Sequence, residues 1–323
     1  MDWLINEERQ GATEAGLLLE FLIFAGSLVA LYYGAKAITE SAVHFAKVLG
    51  ISEFVIGATV VAFGTALPEF STSMTAMLVD GGRPEIAAGN VLGSILANTG
   101  LALGAAAVLY GIYTDRKILE TDLSFLLASV LALYVVFLDY RITWVEGIFL
   151  IAIYLAFIHH EVSEHRKNDS KGMEDLRPKM IALFIAGVVI LSVGARYMIE
   201  AIQDIAATLG ISEAVVAVII LAVGTSLPEV STAIVAAKNG RGDIAMGDII
   251  GANAFNALII LGASSLVGDV AVSEPFVSVT LPVVVLMSLL LGFMVLGNKI
   301  TRFEGSMLLA IYFLEIMAIL TIL

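Results

Sequence analysis

A ten-residue peptide written twice constrains this 323-residue chain more than any other feature. FGTALPEFST runs from Phe63 to Thr72 and VGTSLPEVST from Val223 to Thr232, an offset of 160 residues. The likeness continues on both sides. Leu49–Glu69 (LGISEFVIGATVVAFGTALPE) aligns with Leu209–Glu229 (LGISEAVVAVIILAVGTSLPE). Glu85–Gly100 (EIAAGNVLGSILANTG) aligns with Asp243–Leu258 (DIAMGDIIGANAFNAL), after a connection two residues shorter. The chain is therefore an internal duplication. Each copy sets one carboxylate, Glu69 or Glu229, inside a long apolar stretch. An ionisable group at membrane depth is read by default as part of a substrate or ion path.

Hydrophobic residues make up 59% of the chain and charged ones 15%, with a mean hydropathy of +0.96, far from the range of soluble domains. At about 20 apolar residues per crossing, ten spans are expected near 17–35, 53–78, 86–110, 121–138, 143–159, 179–199, 213–237, 243–267, 275–296 and 304–322. The runs are too long and the linkers too short for the buried core helices of a soluble protein. The fold class expected is an all-α polytopic membrane protein of ten transmembrane helices in two inverted five-helix repeats. Residues 1–160 form the first repeat and 179–323 the second, joined by a polar linker at 161–178. Five is odd, so the second half enters the membrane with the opposite sense. Halves so related share a pseudo-two-fold axis in the membrane plane, an arrangement suited to alternating access.

Basic residues fix the orientation. With both termini extracytoplasmic, the inward connections carry twelve of them: Lys47, Arg116, Lys117, Arg166, Lys167, Lys171, Arg177, Lys179, Lys238, Arg241, Lys299 and Arg302. The outward ones carry three, Arg9, Arg83 and Arg141, the bias expected of a multi-pass protein of the cell membrane. An acidic N-terminus without a basic flank is not that of a cleaved signal peptide. A net charge of −13 argues against nucleic acid as a partner, which leaves cations and membrane lipid. There is no cysteine for disulfide or thiol chemistry. His44, His159, His160 and His165 lie at interfaces or in the linker and do not form a metal cluster.

Pro68 and Pro228 fall inside predicted spans, directly before the two glutamates. A proline removes one helical hydrogen bond and crowds the carbonyl four residues back, here that of Gly64 or Gly224. Unwound backbone at membrane depth is tolerated only within protein or along a cavity. Freed carbonyls near Ala62, Thr65, Ala222 and Thr225 then offer hard oxygen ligands, and Glu69 and Glu229 supply negative charge. The next segment repeats Gly89, Gly93, Ser94 and Asn98 as Gly247, Gly251, Ala252 and Asn256. Its small residues let helices approach closely, whereas an amide in an apolar span needs a partner. Glu69, Asn98, Glu229 and Asn256 are thus expected to form a diamond at the midplane. Mixed hard oxygens of this kind suit Ca²⁺ and do not suit zinc or copper. One Ca²⁺, two Na⁺ or two protons would each neutralise the glutamate pair. Competition for the same carboxylates is the basis of exchange.

At GTALPE (Gly64–Glu69), GTSLPE (Gly224–Glu229), GNVLGSILAN (Gly89–Asn98) and GDIIGANAFN (Gly247–Asn256) the chain resembles the calcium/cation antiporter superfamily, most nearly its prokaryotic sodium/calcium exchangers. The resemblance implies that Glu69 and Glu229 bind Ca²⁺ and help to hold Na⁺. By the same likeness, carbonyls at Thr65 and Thr225 complete the Ca²⁺ site, and those at Ala62 and Ala222 serve flanking Na⁺ sites. The family pattern also uses hydroxyls that are kept here as Ser226 and Ser94 but replaced by Ala66 and Ala252, one alanine for each flanking site. Its last polar position in the second repeat, often Asp, is Asn256 here. A missing ligand of this kind costs about 1–3 kcal/mol, or one to two orders of magnitude in affinity. Na⁺/Ca²⁺ exchange is the function expected, with H⁺/Ca²⁺ antiport or exchange of another cation as the alternative. No resident cofactor is implied.

Two other classes fit less well. A channel needs a continuous pore with weak binding at several places, while matched carboxylates in inverted halves predict one occluded site per chain and a functional monomer. An intramembrane enzyme would need a nucleophile–base or metal–histidine constellation, and the sequence carries none.

Overall fold

A computed structural model of the chain describes residues 2–79, 82–113, 127–164, 177–208, 224–274 and 276–322. Helix α1 (Asp2–Leu49) is far longer than the span expected at 17–35. The apolar run marks only its membrane-crossing part. No proline interrupts residues 2–49, so the helix continues until Gly50, whose φ of +65° is open to glycine at little cost. Helix α2 (Glu53–Thr65) is capped by Ser52, whose hydroxyl accepts the Val55 N–H at 3.1 Å, and contains a π-helical turn at Gly57–Val61. Helix α3 (Leu67–Leu78) follows at a 46° bend. Then come α4 (Pro84–Tyr110, with a π turn at Ala97–Leu103), α5 (Leu127–Asp139), α6 (Trp144–Glu164) and α7 (Pro178–Thr208). The last four are α8 (Leu227–Lys238), α9 (Gly242–Val267, with a π turn at Phe255–Ile260), α10 (Phe276–Val295) and α11 (Arg302–Ile322).

Five described helices are long and apolar enough to cross a membrane alone, and the bent pair α2–α3 makes a sixth. The shorter α5 and α8 and the 21-residue α6 and α11 fall on the remaining expected spans. The first half of the span near 213–237, the start of that near 121–138 and most of the linker lie outside the described residues.

Small details repeat between the halves. Two-residue strands β1 (Ile112–Tyr113), β2 (Arg141–Ile142), β3 (Val270–Ala271) and β4 (Lys299–Ile300) pair antiparallel as β1 with β4 and β2 with β3. Under the alignment that matches Glu85 to Asp243, β1 is the counterpart of β3 and β2 of β4. Each ladder is therefore the two-fold image of the other. Tyr140 and Asn298, counterparts again, are the two described non-glycine residues with positive φ, at 65° and 61°. Thr143 and Thr301 each cap a helix by donating N–H and O–H to a glutamate three residues on, Glu146 or Glu304, at 2.7–2.8 Å. Such coincidences require the symmetry that the duplication implies.

The arrangement has a centre and a periphery. Helices α4 and α9 are mostly buried, whereas α1 and α7 pack on each other through Gly34, Gly187 and Gly194 and turn their outer faces outward. Leu22, Val29, Ile185 and Val189 are exposed on that surface, which a bilayer covers and water would not tolerate.

Candidate cation site

The two prolines do not kink continuous helices. Each sits in the first turn of a new one, where its missing N–H is no loss. The residues that start α3 and α8, Ala66 and Ser226, have nearly the same backbone, φ −82° with ψ 5° and φ −87° with ψ 8°. Both accept the first bond of the new helix, from Phe70 N at 3.0 Å and from Val230 N at 2.9 Å. Pro68 and Pro228 have no N–H for the carbonyls of Gly64 and Gly224. Glu69 and Glu229 lie in the first turns of 12-residue helices, where the helix dipole favours negative charge.

Glu69, Glu229, Asn98 and Asn256 are all 0% exposed. Both polar side-chain atoms of each lack a hydrogen-bonding partner among the described residues. Buried polar groups are nearly always paired, so these four side chains are ones that packing alone does not explain. The two carboxylates are near enough to repel one another. Asn98 and Asn256 open the two counterpart π turns of α4 and α9, a local widening that recurs at functional sites. Nothing in the sequence marked these turns.

The hydroxyls divide between two sides. Ser94 Oγ lies beside Glu69 and has Thr225 Oγ1 at 3.3 Å. Thr65 lies beside Glu229, and its closest acceptor is Asp248 Oδ1 at 3.0 Å, ahead of the carbonyls of Val61 at 3.2 Å and Ala62 at 3.3 Å. Each buried helix thus crosses to the other repeat: α4 brings Ser94 to the break before α8, and α9 brings Asp248 to the break before α3. Ala62 is buried, Ser226 Oγ is buried without a partner, and Ala222 lies outside the described residues.

Ala66 begins α3, and Ala252 stands one turn after Asp248 on α9. Ala66 therefore follows Thr65 directly, and Ala252 follows the Asp248 that Thr65 reaches. The hydroxyls of Ser94 and Ser226 are kept.

Asp248 was not singled out in the sequence. It is 0% exposed and feels the charge of Glu229, as Glu69 feels that of Asp248. Close packing holds it in place, because a methyl group on Gly247 would run into Phe54 O and one on Gly251 into Ala58 O. The signal available was a mismatch: the aligned position in the first repeat is Asn90. Among the described residues no trio of acidic or histidine side chains converges on a single metal position. The donors named above are all hard oxygens, the type suited to alkali and alkaline-earth cations.

Known proteins resemble the chain along its length. The family described as sodium/calcium exchanger protein matches residues 19–161 and, a second time, 179–321. The sodium/calcium exchanger MaX1 of Methanosarcina acetivorans is 32% identical over 342 residues, covering 92% of this chain and 97% of that protein. An uncharacterized membrane protein of Methanocaldococcus jannaschii is 33% identical over 307 residues, covering 93% and 98%. The structure of the sodium-calcium exchanger NCX_Mj soaked with zero Na⁺ and Ca²⁺ matches with a TM-score of 0.83 at 31% identity, covering 94% of this chain and 99% of that one. NCX_Mj soaked with 100 mM Na⁺ and 10 mM Sr²⁺ gives 0.82 at the same identity. The ten-span inverted-repeat architecture is that of these structures. Matched once in each half and over nearly its whole length, the chain belongs to the sodium/calcium exchanger family, a cation exchanger and not an enzyme.

Proposed function

We propose that the chain exchanges Na⁺ for Ca²⁺ across the cell membrane by secondary active antiport, presenting one central site to the two sides in turn. The observation that carries this reading is the placement of Glu69 and Glu229. They start counterpart helices of opposite repeats, are wholly buried, lack hydrogen-bonding partners among the described residues and repel each other. A charged, empty pair of this kind is costly in low dielectric, so a bound cation is what permits the site to change sides. Glu69 and Glu229, with the carbonyls of Thr65 and Thr225 and the amides of Asn98 and Asn256, hold Ca²⁺. Ser94, Ser226 and the carbonyls of Ala62 and Ala222 add ligands for flanking Na⁺. Relatives support the exchange: MaX1 is a sodium/calcium exchanger by name, and the NCX_Mj structures concern extracellular ion exchange and binding-site occlusion.

Residues 1–160 and 179–323 act as the two repeats around this site, with 161–178 as a cytoplasmic linker. The excess of Lys and Arg in one set of connections supports termini on the extracytoplasmic side. A site complete within one chain supports a functional monomer, with cations and lipid as its partners.

A second reading has an observation of its own. Ala66 and Ala252 take two hydroxyls from the site, which favours a proton or another cation as the coupling ion. Reconstituted vesicles distinguish the readings, with Na⁺ and pH gradients imposed separately on ⁴⁵Ca²⁺ uptake. Uptake driven by an outward Na⁺ gradient is the expected result. Uptake that follows only the proton gradient selects the alternative, and uptake under neither removes Ca²⁺ as the substrate.

A further inference from the structure

Asp248 is where the two repeats disagree, and the disagreement is chemical. Its counterpart Asn90 is a tie between helices: Nδ2 donates to Ser73 Oγ at 2.9 Å and to the Glu69 carbonyl at 3.1 Å, fastening α4 to α3. A carboxylate cannot donate these bonds. The counterpart of Ser73 is Ala233, so the hydroxyl has gone as well. Asp248 has therefore lost the structural role of its counterpart. It still stands at zero exposure with one oxygen accepting from Thr65 Oγ1 at 3.0 Å and the other, Oδ2, without a partner among the described residues. Charge at such a place is expensive unless something positive balances it.

Its surroundings say what would. The Thr65 hydroxyl that reaches Asp248 also lies 3.3 Å from the Ala62 carbonyl, the group that the family resemblance gives to a flanking Na⁺ site. The two missing hydroxyls are at Ala66, next to Thr65, and at Ala252, one turn after Asp248. A carboxylate is thus gained in a site that lacks two neutral ligands. Glu229 also lies beside Thr65, and the glutamate pair already carries the charge of a divalent site, so the charge that Asp248 adds is that of one further monovalent cation.

We propose that Asp248 is a direct ligand of a monovalent hard cation, Na⁺, held at the break before α3 beside Thr65 Oγ1 and the Ala62 carbonyl, in place of the hydroxyls absent at positions 66 and 252. The proposal rests on the exchanger reading above and adds a ligand to it. It also raises the buried negative charge at the site from two to three, so a bound Ca²⁺ alone leaves one charge unbalanced.

The test uses the full chain in proteoliposomes, as wild type, Asp248→Asn, Asp248→Ser and the double variant Asp248→Asn, Ala252→Ser. Na⁺ is varied at fixed Ca²⁺, then Ca²⁺ at fixed Na⁺, and ²²Na⁺ binding to the purified protein is counted per chain. Asp248→Asn should raise the half-saturating Na⁺ concentration at least about tenfold, move that of Ca²⁺ several-fold less, and lower bound ²²Na⁺ by one ion per chain. Asp248→Ser and the double variant, each with a hydroxyl returned, should fall between Asp248→Asn and wild type. Asparagine fills the counterpart position 90, so its shape is compatible with the fold, and the serine variant carries the test if the amide does not express. A Na⁺-dependent wild type with unchanged Na⁺ saturation in both variants overturns the proposal alone. Equal shifts for Na⁺ and Ca²⁺ overturn it too, since they mark a structural role. A wild type indifferent to Na⁺ overturns the Na⁺/Ca²⁺ reading, and this ligand with it.

Discussion

Replacing Glu69 by Gln should move binding and stability in opposite directions. The amide keeps the volume of the side chain, so the packing at zero exposure is preserved. What goes is one of the two charges that face a divalent ion. Removing one member of a buried ion pair costs about 3–5 kcal/mol, which at about 1.4 kcal/mol per decade weakens Ca²⁺ binding by roughly two to three and a half orders of magnitude. The ion-free protein responds the other way. Glu69 is repelled by both Glu229 and Asp248, and neutralising it relieves that repulsion, so the melting temperature without Ca²⁺ should rise. Equilibrium ⁴⁵Ca²⁺ binding to purified protein measures the first quantity, and thermal unfolding with and without Ca²⁺ the second. The wild type should be stabilised by Ca²⁺ and Glu69→Gln hardly at all. A loss of less than tenfold in affinity would refute the first-hand role of the carboxylate. A melting temperature that falls in the ion-free variant would show that Glu69 supports the fold and not the ion.

Other outcomes follow from single contacts. The double substitution Ala66→Ser, Ala252→Ser returns two hydroxyls to the site and should lower the half-saturating Na⁺ concentration in flux measurements; an unchanged value would separate these positions from Na⁺. Gly251→Ala drives a methyl group into the carbonyl oxygen and Cα of Ala58, both backbone atoms that cannot turn aside. It should cost about 1–3 kcal/mol or more and reduce transport, so a wild-type melting curve would contradict the close helix approach. Glu53→Gln breaks a 2.7 Å contact with Arg241 Nη1 in a partly exposed pair. Its effect on stability should stay below about 1 kcal/mol, with flux little altered.

The spans, their inverted order and the two glutamates were legible in the sequence because each rests on local signals: apolar runs, an odd count per half and a proline beside a buried carboxylate. The length of α1 was not, since an apolar run ends where the membrane does while a helix ends at a breaker, here Gly50. The π turns at Asn98 and Asn256 have no signature in residue type and arise from how α4 and α9 are packed. Asp248 escaped for a different reason. Comparing the halves draws attention to what they share, and Asp248 carries information as the place where they differ. The contacts of Thr65 with Asp248 and of Ser94 with Thr225 were out of reach too, because sequence cannot show that each central helix crosses to serve the other repeat's break.

The paired strands limit how this molecule can move. One ladder fastens the end of α4 to the turn before α11, and its twin fastens the end of α9 to the turn before α6. Being two-fold images about an in-plane axis, they sit at opposite faces of the membrane, like rivets through both covers of a hull. Halves riveted above and below cannot swing apart as separate blocks. Helices α1 and α7 carry no such fastening, and they meet each other through glycine, alanine and serine over a smooth seam. A rearrangement that keeps both ladders intact leaves α1 and α7 as the pair that neither ladder holds.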